Sequence, residues 1–149
     1  MKSITVQNIP FFLLGFLGIS AIGGGGALII SPSGKLFGMP LSMLMNSPFQ
    51  NFLIPGIVLF VVLGIPSILT AVALKKIRPN KMADKLNMFG YMHWAWTFSI
   101  YIAFALIIWL QAEMYFLQAV HWLHCLYMAI AIAIILAALL PTVRKQYIK

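Results

Sequence analysis

Glu113, His121, His124 and Cys125 are the residues of this chain whose types and spacing could do chemistry. A carboxylate beside imidazoles can pass a proton or hold a polar headgroup, and imidazole with thiol is a soft-metal donor set. On a helix turning about 100° per residue, Leu117, His121, His124, Cys125 and Met128 share one stripe. Glu113 stands just before them, close to Gln111 and Trp109, placed to close over the stripe. Met39, Met43 and Met45 bring thioethers to the same side. Against a metal, a structural site wants four ligands, and histidine and tryptophan at headgroup depth are ordinary interface anchors. Methionine fills cores more often than it ligates. No metal is therefore expected, with His121, His124 and Cys125 the residues that would supply one.

No cofactor is expected either. A bis-histidine haem would need His93 and a later histidine at one depth, yet the two sit toward opposite faces, roughly 15 Å apart by helical rise. A hydrogen bond from Glu113 to His124 or His121 fits the spacing better. As structure it locks two helix ends together; as function it is a proton-sensitive gate or a contact for an amphiphile's headgroup. In the functional case Glu113, His121 and His124 are the ligand-binding polar groups, and Trp109, Tyr115 and Trp122 the walls. One acid and two imidazoles without a nucleophile or metal motif point away from an enzyme, so no catalytic residue is assigned.

The elements that must carry these residues are set by composition. Hydrophobic residues fill 62% of the 149 positions and charged residues only 8%, against about 25% charged in a soluble domain. That is too little charge to cover a soluble surface. A membrane-spanning helix needs about 20 apolar residues, and windows near 9–30, 52–74, 88–110 and 117–140 supply four. They use most of the chain, so a single four-helix membrane domain over 1–149 is expected, an all-α bundle. A secretory leader is the competing reading of the first window, with small residues near Gly24 and Gly26 as its cleavage site. That window is longer than a usual leader's apolar region, so it is counted as a span. The lone Cys125 excludes an intramolecular disulfide.

The net charge of +8 is a topology signal, not a nucleic-acid signal. Lys75, Lys76, Arg78, Lys81 and Lys85 lie between the second and third windows, Arg144, Lys145 and Lys149 in the tail, and Lys2 before the first. Only Lys35 falls on the other side, which predicts cytoplasmic termini and middle loop. Asp84 reads as a solvated counter-charge within the basic loop, and the basic face suits anionic lipid headgroups. No lysine or arginine falls mid-span, which removes a Schiff-base chromophore site, a voltage sensor and a charged relay.

In the first window Gly15, Gly18, Gly23, Gly24, Gly25 and Gly26 let a second helix approach closely, and the helix is expected to end near the last of them. The alternative is backbone that opens on a cavity. "SPSGKLFGMPLSMLMNSPF" reads as a turn followed by a short amphipathic helix from Pro40 in the first outer loop. "SPFQNFLIPG" is then a stop, a turn and a restart, with Phe49 and Phe52 as interface anchors and Pro55 in the first helical turn. Gly64 and Pro66 predict a kink in the second span. The link from Gln111 to Phe116 predicts an antiparallel hairpin of the last two spans.

The Gly-rich first span, "SPSGKLFGMPL", "SPFQNFLIPG" and "IIWLQAEMYFLQAVHWL" together resemble an uncharacterised family of small bacterial four-span integral membrane proteins. The likeness runs over nearly the whole chain. It implies a bacterial inner-membrane setting with both termini inside, and transfers no function. The leading expectation is a non-enzymatic accessory or lipid-interacting bundle, surrounded by membrane lipids and associating with itself or with another membrane protein. The alternative is a binder, transporter or converter of a small hydrophobic ligand under the outer loop.

Overall fold

The computed structural model describes residues 6–149, so Lys2 lies outside the described residues. The protein is an all-helical bundle, and four of its helical stretches are long and apolar enough to cross a membrane. A 3-10 turn, Val6–Asn8, leads into α1, Ile9–Ile30. The second crossing is composite: α2 (Leu53–Val58), a π-helical segment (Leu59–Gly64) and α3 (Ile65–Lys76). A short α4 (Lys81–Lys85) precedes α5 (Trp94–Leu117), α6 (Trp122–Leu139) and the terminal α7 (Pro141–Gln146). The second crossing packs along α1, α6 packs along α5, and contacts of α3 with α5 and of α1 with α6 close the ring.

Small residues set how closely α1 approaches its neighbour. Leu14, Leu17, Gly18, Ala21 and Gly25 recur at helical spacing and are buried. A Cβ on Gly25 would meet the Gly56 carbonyl oxygen at 2.7 Å and the Phe60 amide nitrogen at 2.8 Å. The two backbones therefore touch, as membrane helices do when small residues permit it. Gly18 receives Ile68 and Gly64 receives Ile22 in the same way. Gly24 and Gly26 make only ordinary contacts, and nothing lies within 4 Å of a Cβ on Gly15 or Gly23. The packing role expected of all six glycines thus falls to two of them, with Gly56 and Gly64 on the opposing helix as the missing half. Nor does α1 end at the glycines: with no proline or polar breaker among them, it runs on to Ile30.

The second crossing is interrupted at its centre. Pro66 has no N–H for the carbonyl four residues back, and the Ile65 amide instead reaches the Phe60 carbonyl, a π-type bond. The Ser67 hydroxyl also bonds the Leu63 carbonyl. The disturbance expected from Gly64 and Pro66 is therefore a widened turn.

Three boundaries move from their sequence positions. The third helix starts at Trp94 rather than near 88, because the Asn87 side chain accepts from the Phe89 amide and donates to the Met92 carbonyl, holding 87–92 in a turn. His93 then caps the helix, its Nδ1 accepting from the Ala95 amide. The same helix does not stop near 110. Gln111 and Glu113 are polar but good helix formers, so it continues for 24 residues in all to Leu117, where Gln118 turns left-handed at φ 54°. The fourth helix consequently begins at Trp122 rather than near 117, and the connection between the two is Gln118–His121, not Gln111–Phe116.

The loop between α1 and α2, the outer loop of the expected topology, also differs. In place of an amphipathic α-helix it forms two 3-10 turns, Lys35–Phe37 and Leu41–Leu44, and Pro40 is extended, outside the second turn. Left-handed Gly34 and Gly38 bracket the first turn, interrupting any longer helix. Phe52 is not an interface anchor: it is buried, its ring lying where a Cβ on Gly34 would stand. Phe49 packs edge-on against Phe116.

At the basic end the segments are tied by hydrogen bonds, those of Trp96 and Tyr147 buried. Arg78's carbonyl accepts from both His93 Nε2 and Trp94 Nε1. Trp96 donates to the Ala138 carbonyl at the end of α6, 2.8 Å away, supplying a carbonyl that has no helical partner there. Tyr147 donates to the Leu74 carbonyl, and burial raises its phenol above the usual tyrosine range. An isolated bridge pairs Met92 with Ile148, and Lys149 pairs with Asp84 at 3.2 Å. Large apolar side chains including Phe12, Phe16, Leu69, Phe104, Ile108 and Leu136 face outward on every long helix. Such an apolar girdle belongs against lipid, and the protein is a multi-pass membrane protein.

Candidate functional site, a cavity under the outer loop

The end opposite the basic residues is built differently. The α5–α6 connection is short, so the last turn of α5 and the first turn of α6 face each other across it. That brings Glu113 and His124 together, His124 Nε2 lying 3.3 Å from Glu113 Oε2. His124 is buried and the Glu113 side chain is about one-third exposed, at 32%.

Backbone capping fixes the imidazole. His121 is the N-cap of α6 and His124 the third residue of its first turn. The His121 amide donates to His124 Nδ1 at 2.9 Å, and the Leu123 amide to His121 Nδ1 at 3.3 Å. This is a capping box made of two histidines, where Ser/Thr with Glu/Gln is the usual pair. An Nδ1 that accepts carries no hydrogen, so neutral His124 holds its proton on Nε2, facing the carboxylate. Trp109 stands one helical turn before Glu113, on the same face of α5.

These residues border a cavity of about 690 Å³. Its floor is Leu17, Ala21 and Leu106; Ser20 and Gly24 of α1 form one wall and Leu110 and Tyr127 another. Phe37, Met39 and Met43 from the outer loop cover it. Glu113 and Trp109 also border a smaller void of about 90 Å³. Ligand pockets run from about 300 to 1,000 Å³, mostly apolar with a few polar groups, and the larger cavity has that size and make-up.

Of the residues expected at a ligand site, Glu113, His121, His124 and Trp109 line this cavity. Tyr115 and Trp122 do not: they are 71% and 66% exposed. Tyr115 is two residues past Glu113 and Trp122 two before His124, which at about 100° per residue turns each to the far side of its helix. The aromatic wall that sequence reasoning missed is Tyr127, three residues after His124 and so on its face; it stacks on Phe16 at 6.4 Å. His121 is not embedded in the fourth helix but caps it, so the stripe drawn through Leu117 and His121 does not exist as a helical face. Cys125 is exposed, and among the described residues no three His, Cys, Asp or Glu side chains gather as metal ligands. His93 lies in the basic-end network, bonded to Arg78 and Ala95.

Fold and site together define a small multi-pass helical bundle with a half-open, largely apolar cavity carrying one acidic group. No protein-family model, curated protein or solved structure matches the chain.

Proposed function

We propose that this protein binds a small amphiphilic molecule within the membrane, the apolar body in the cavity under the outer loop and the polar end at Glu113 and His124. The observation that carries the reading is the cavity of about 690 Å³ with the Glu113–His124 pair on its wall. Burying a carboxylate at membrane depth is costly. A lock between α5 and α6 would not need the pair to border open space, whereas a binding site would. The cavity favours this reading over a bundle that acts only through its outer surface. Membrane lipids are its surroundings, and the glycine-lined α1 packs within the bundle at Gly18 and Gly25, leaving Gly15 and Gly23 open for a second copy or another membrane protein.

Charge supports an orientation. Eight basic residues, from Lys75 to Lys149, gather at one end, and Lys35 stands at the other. This supports the basic end and both termini in the cytoplasm, so that in the bacterial inner membrane the resemblance implies the cavity would lie toward the outer leaflet. Cysteine labelling at positions 35 and 81 in a Cys125→Ser background tests the orientation, and reaction of position 81 from outside intact cells would reverse it.

Native mass spectrometry of the gently solubilised protein tests the binding. Wild type is expected to carry a stoichiometric small molecule, and Gly24→Leu, which places a side chain into the cavity, to carry less. Wild type that is empty and stays empty in the presence of membrane extract would remove the reading.

A further inference from the structure

The composition of the cavity wall selects among amphiphiles, and this selection rests on the binding reading above. We propose that the preferred ligand class is a lipophilic monovalent cation, an apolar body bearing a protonated amine or an onium centre.

The polar groups around the cavity are unequal in what they still offer. The Ser20 hydroxyl is committed to the Leu17 carbonyl at 3.0 Å. His124 Nδ1 is committed to the His121 amide, and its Nε2–H faces Glu113. His121 Nδ1 serves the Leu123 amide. A ligand that only accepts hydrogen bonds, such as a quinone carbonyl, therefore finds the inner His124 donor already used and meets only the His121 Nε2–H and the Trp109 indole N–H. A carboxylate has room for several donors, and His124 accounts for only part of Glu113's capacity.

Charge sharpens the choice. Among the described residues no lysine or arginine lines the cavity, so an anionic head, whether fatty acid or phosphate, would meet Glu113 without a counter-charge. Removing charges from water is expensive unless they are paired. A cationic head supplies the pairing charge, which among the wall residues only a protonated imidazole could otherwise provide. Aromatic faces add to this. Trp109 stands one turn from Glu113, and Tyr127 one turn from His124, its ring held by stacking on Phe16. Indole and phenol faces attract cations within about 6 Å of the ring. The remaining wall, Leu17, Leu28, Leu106 and Leu110 among others, is apolar and suits the body of such a molecule.

Three probes decide the class, each titrated against the full-length protein in nanodiscs of zwitterionic lipid with protein-free discs subtracted: tetraphenylphosphonium, a short-tailed neutral quinone, and oleate. Tryptophan fluorescence and calorimetry read the binding. Tetraphenylphosphonium is expected to bind saturably with one site per chain. Glu113→Gln should weaken it by about thirtyfold or more, while Glu113→Asp retains most of the affinity. Should the Gln variant fail to purify as a folded species, Trp109→Leu gives the parallel comparison, with weakened cation binding expected. Equal affinity of wild type and Glu113→Gln for the cation would overturn the proposal. Saturable binding of the quinone or oleate but not of the cation, lost in Gly24→Leu, would overturn the cation class and leave the cavity reading standing. Failure of all three probes would remove both.

Discussion

The two ends of this bundle solve opposite problems with similar residues. At the basic end His93 caps a helix, Trp96 closes the end of another and Tyr147 reaches across to α3, each by a hydrogen bond to a backbone carbonyl or amide. At the other end His121 and His124 also cap a helix and Trp109 also stands beside a polar group, but the space between the helices is left open. The same side-chain chemistry thus produces a sealed end and a hollow one. What differs is the filling. The loop from Lys81 to His93 and the α7 tail fold back into the basic end, whereas the outer loop, made of two 3-10 turns, lies over its end as a cover. Cross-linking hydrogen bonds are concentrated where the chain is charged, and open space where it is not.

This contrast makes stability and binding separable by mutation. The largest loss of stability is expected from Trp96→Ala, about 3–5 kcal/mol for an emptied aromatic site, together with an unpartnered Ala138 carbonyl. Thermal unfolding in detergent measures it, and ligand affinity of the surviving folded protein should be unchanged. Gly25→Val comes next at about 1–3 kcal/mol, since its side chain would enter the Gly56 and Phe60 backbone and overpacking costs that much.

The adjacent glycine behaves in the opposite way. A Cβ on Gly24 meets only Leu59 Cδ2, at 3.6 Å, so Gly24→Ala should be neutral or raise stability by up to about 1 kcal/mol through helix propensity. Equal destabilisation at both positions would contradict the division between packed and hollow faces of α1. Glu113→Gln, which keeps the side-chain shape and an acceptor for His124, should shift stability by less than about 1 kcal/mol and show its effect in binding instead.

The smallest effect concerns pH. Burial holds the Tyr147 phenol above its ordinary range, so the folded state keeps a proton that the unfolded chain gives up near about pH 10. Its contribution is whole below that pH and is lost as pH rises toward the folded value. Phenolate absorbance of the folded protein should contain one late-titrating tyrosine, absent in Tyr147→Phe.

Hydropathy alone locates four crossings here, because lipid demands long apolar runs and little else competes with that signal. Helix ends are less legible. The turn at 87–92 depends on one Asn side chain meeting two backbone groups and Thr97, and an apolar window passes straight through Met88 and Phe89. Past Leu110 the reverse occurs: Gln111 and Glu113 lower hydropathy without weakening the helix. The glycines show a third case. Six glycines crowd the first window, but choosing Gly18 and Gly25 over Gly15 and Gly23 requires the phase of Leu14 and Leu17, which only the packed face supplies. Around the cavity, proximity of Glu113 to His124 was legible from the short connection. Residue type alone points to Tyr115 and Trp122 as walls, and their angular position decides against them.

The widened turn at Leu59–Gly64 has a consequence for how long this chain needs to be. Gly56 and Gly64 both face α1, yet eight positions of regular α-helix would leave them about 80° apart. Absorbing one extra residue in the π segment brings them within about 20° of each other. The turn therefore behaves as a one-residue insertion whose phase error has been taken up locally. A chain lacking the lipid-facing Val61 and carrying Pro66→Leu would offer both glycines to α1 from an uninterrupted helix. The second crossing is thus spelled in one more letter than its geometry uses.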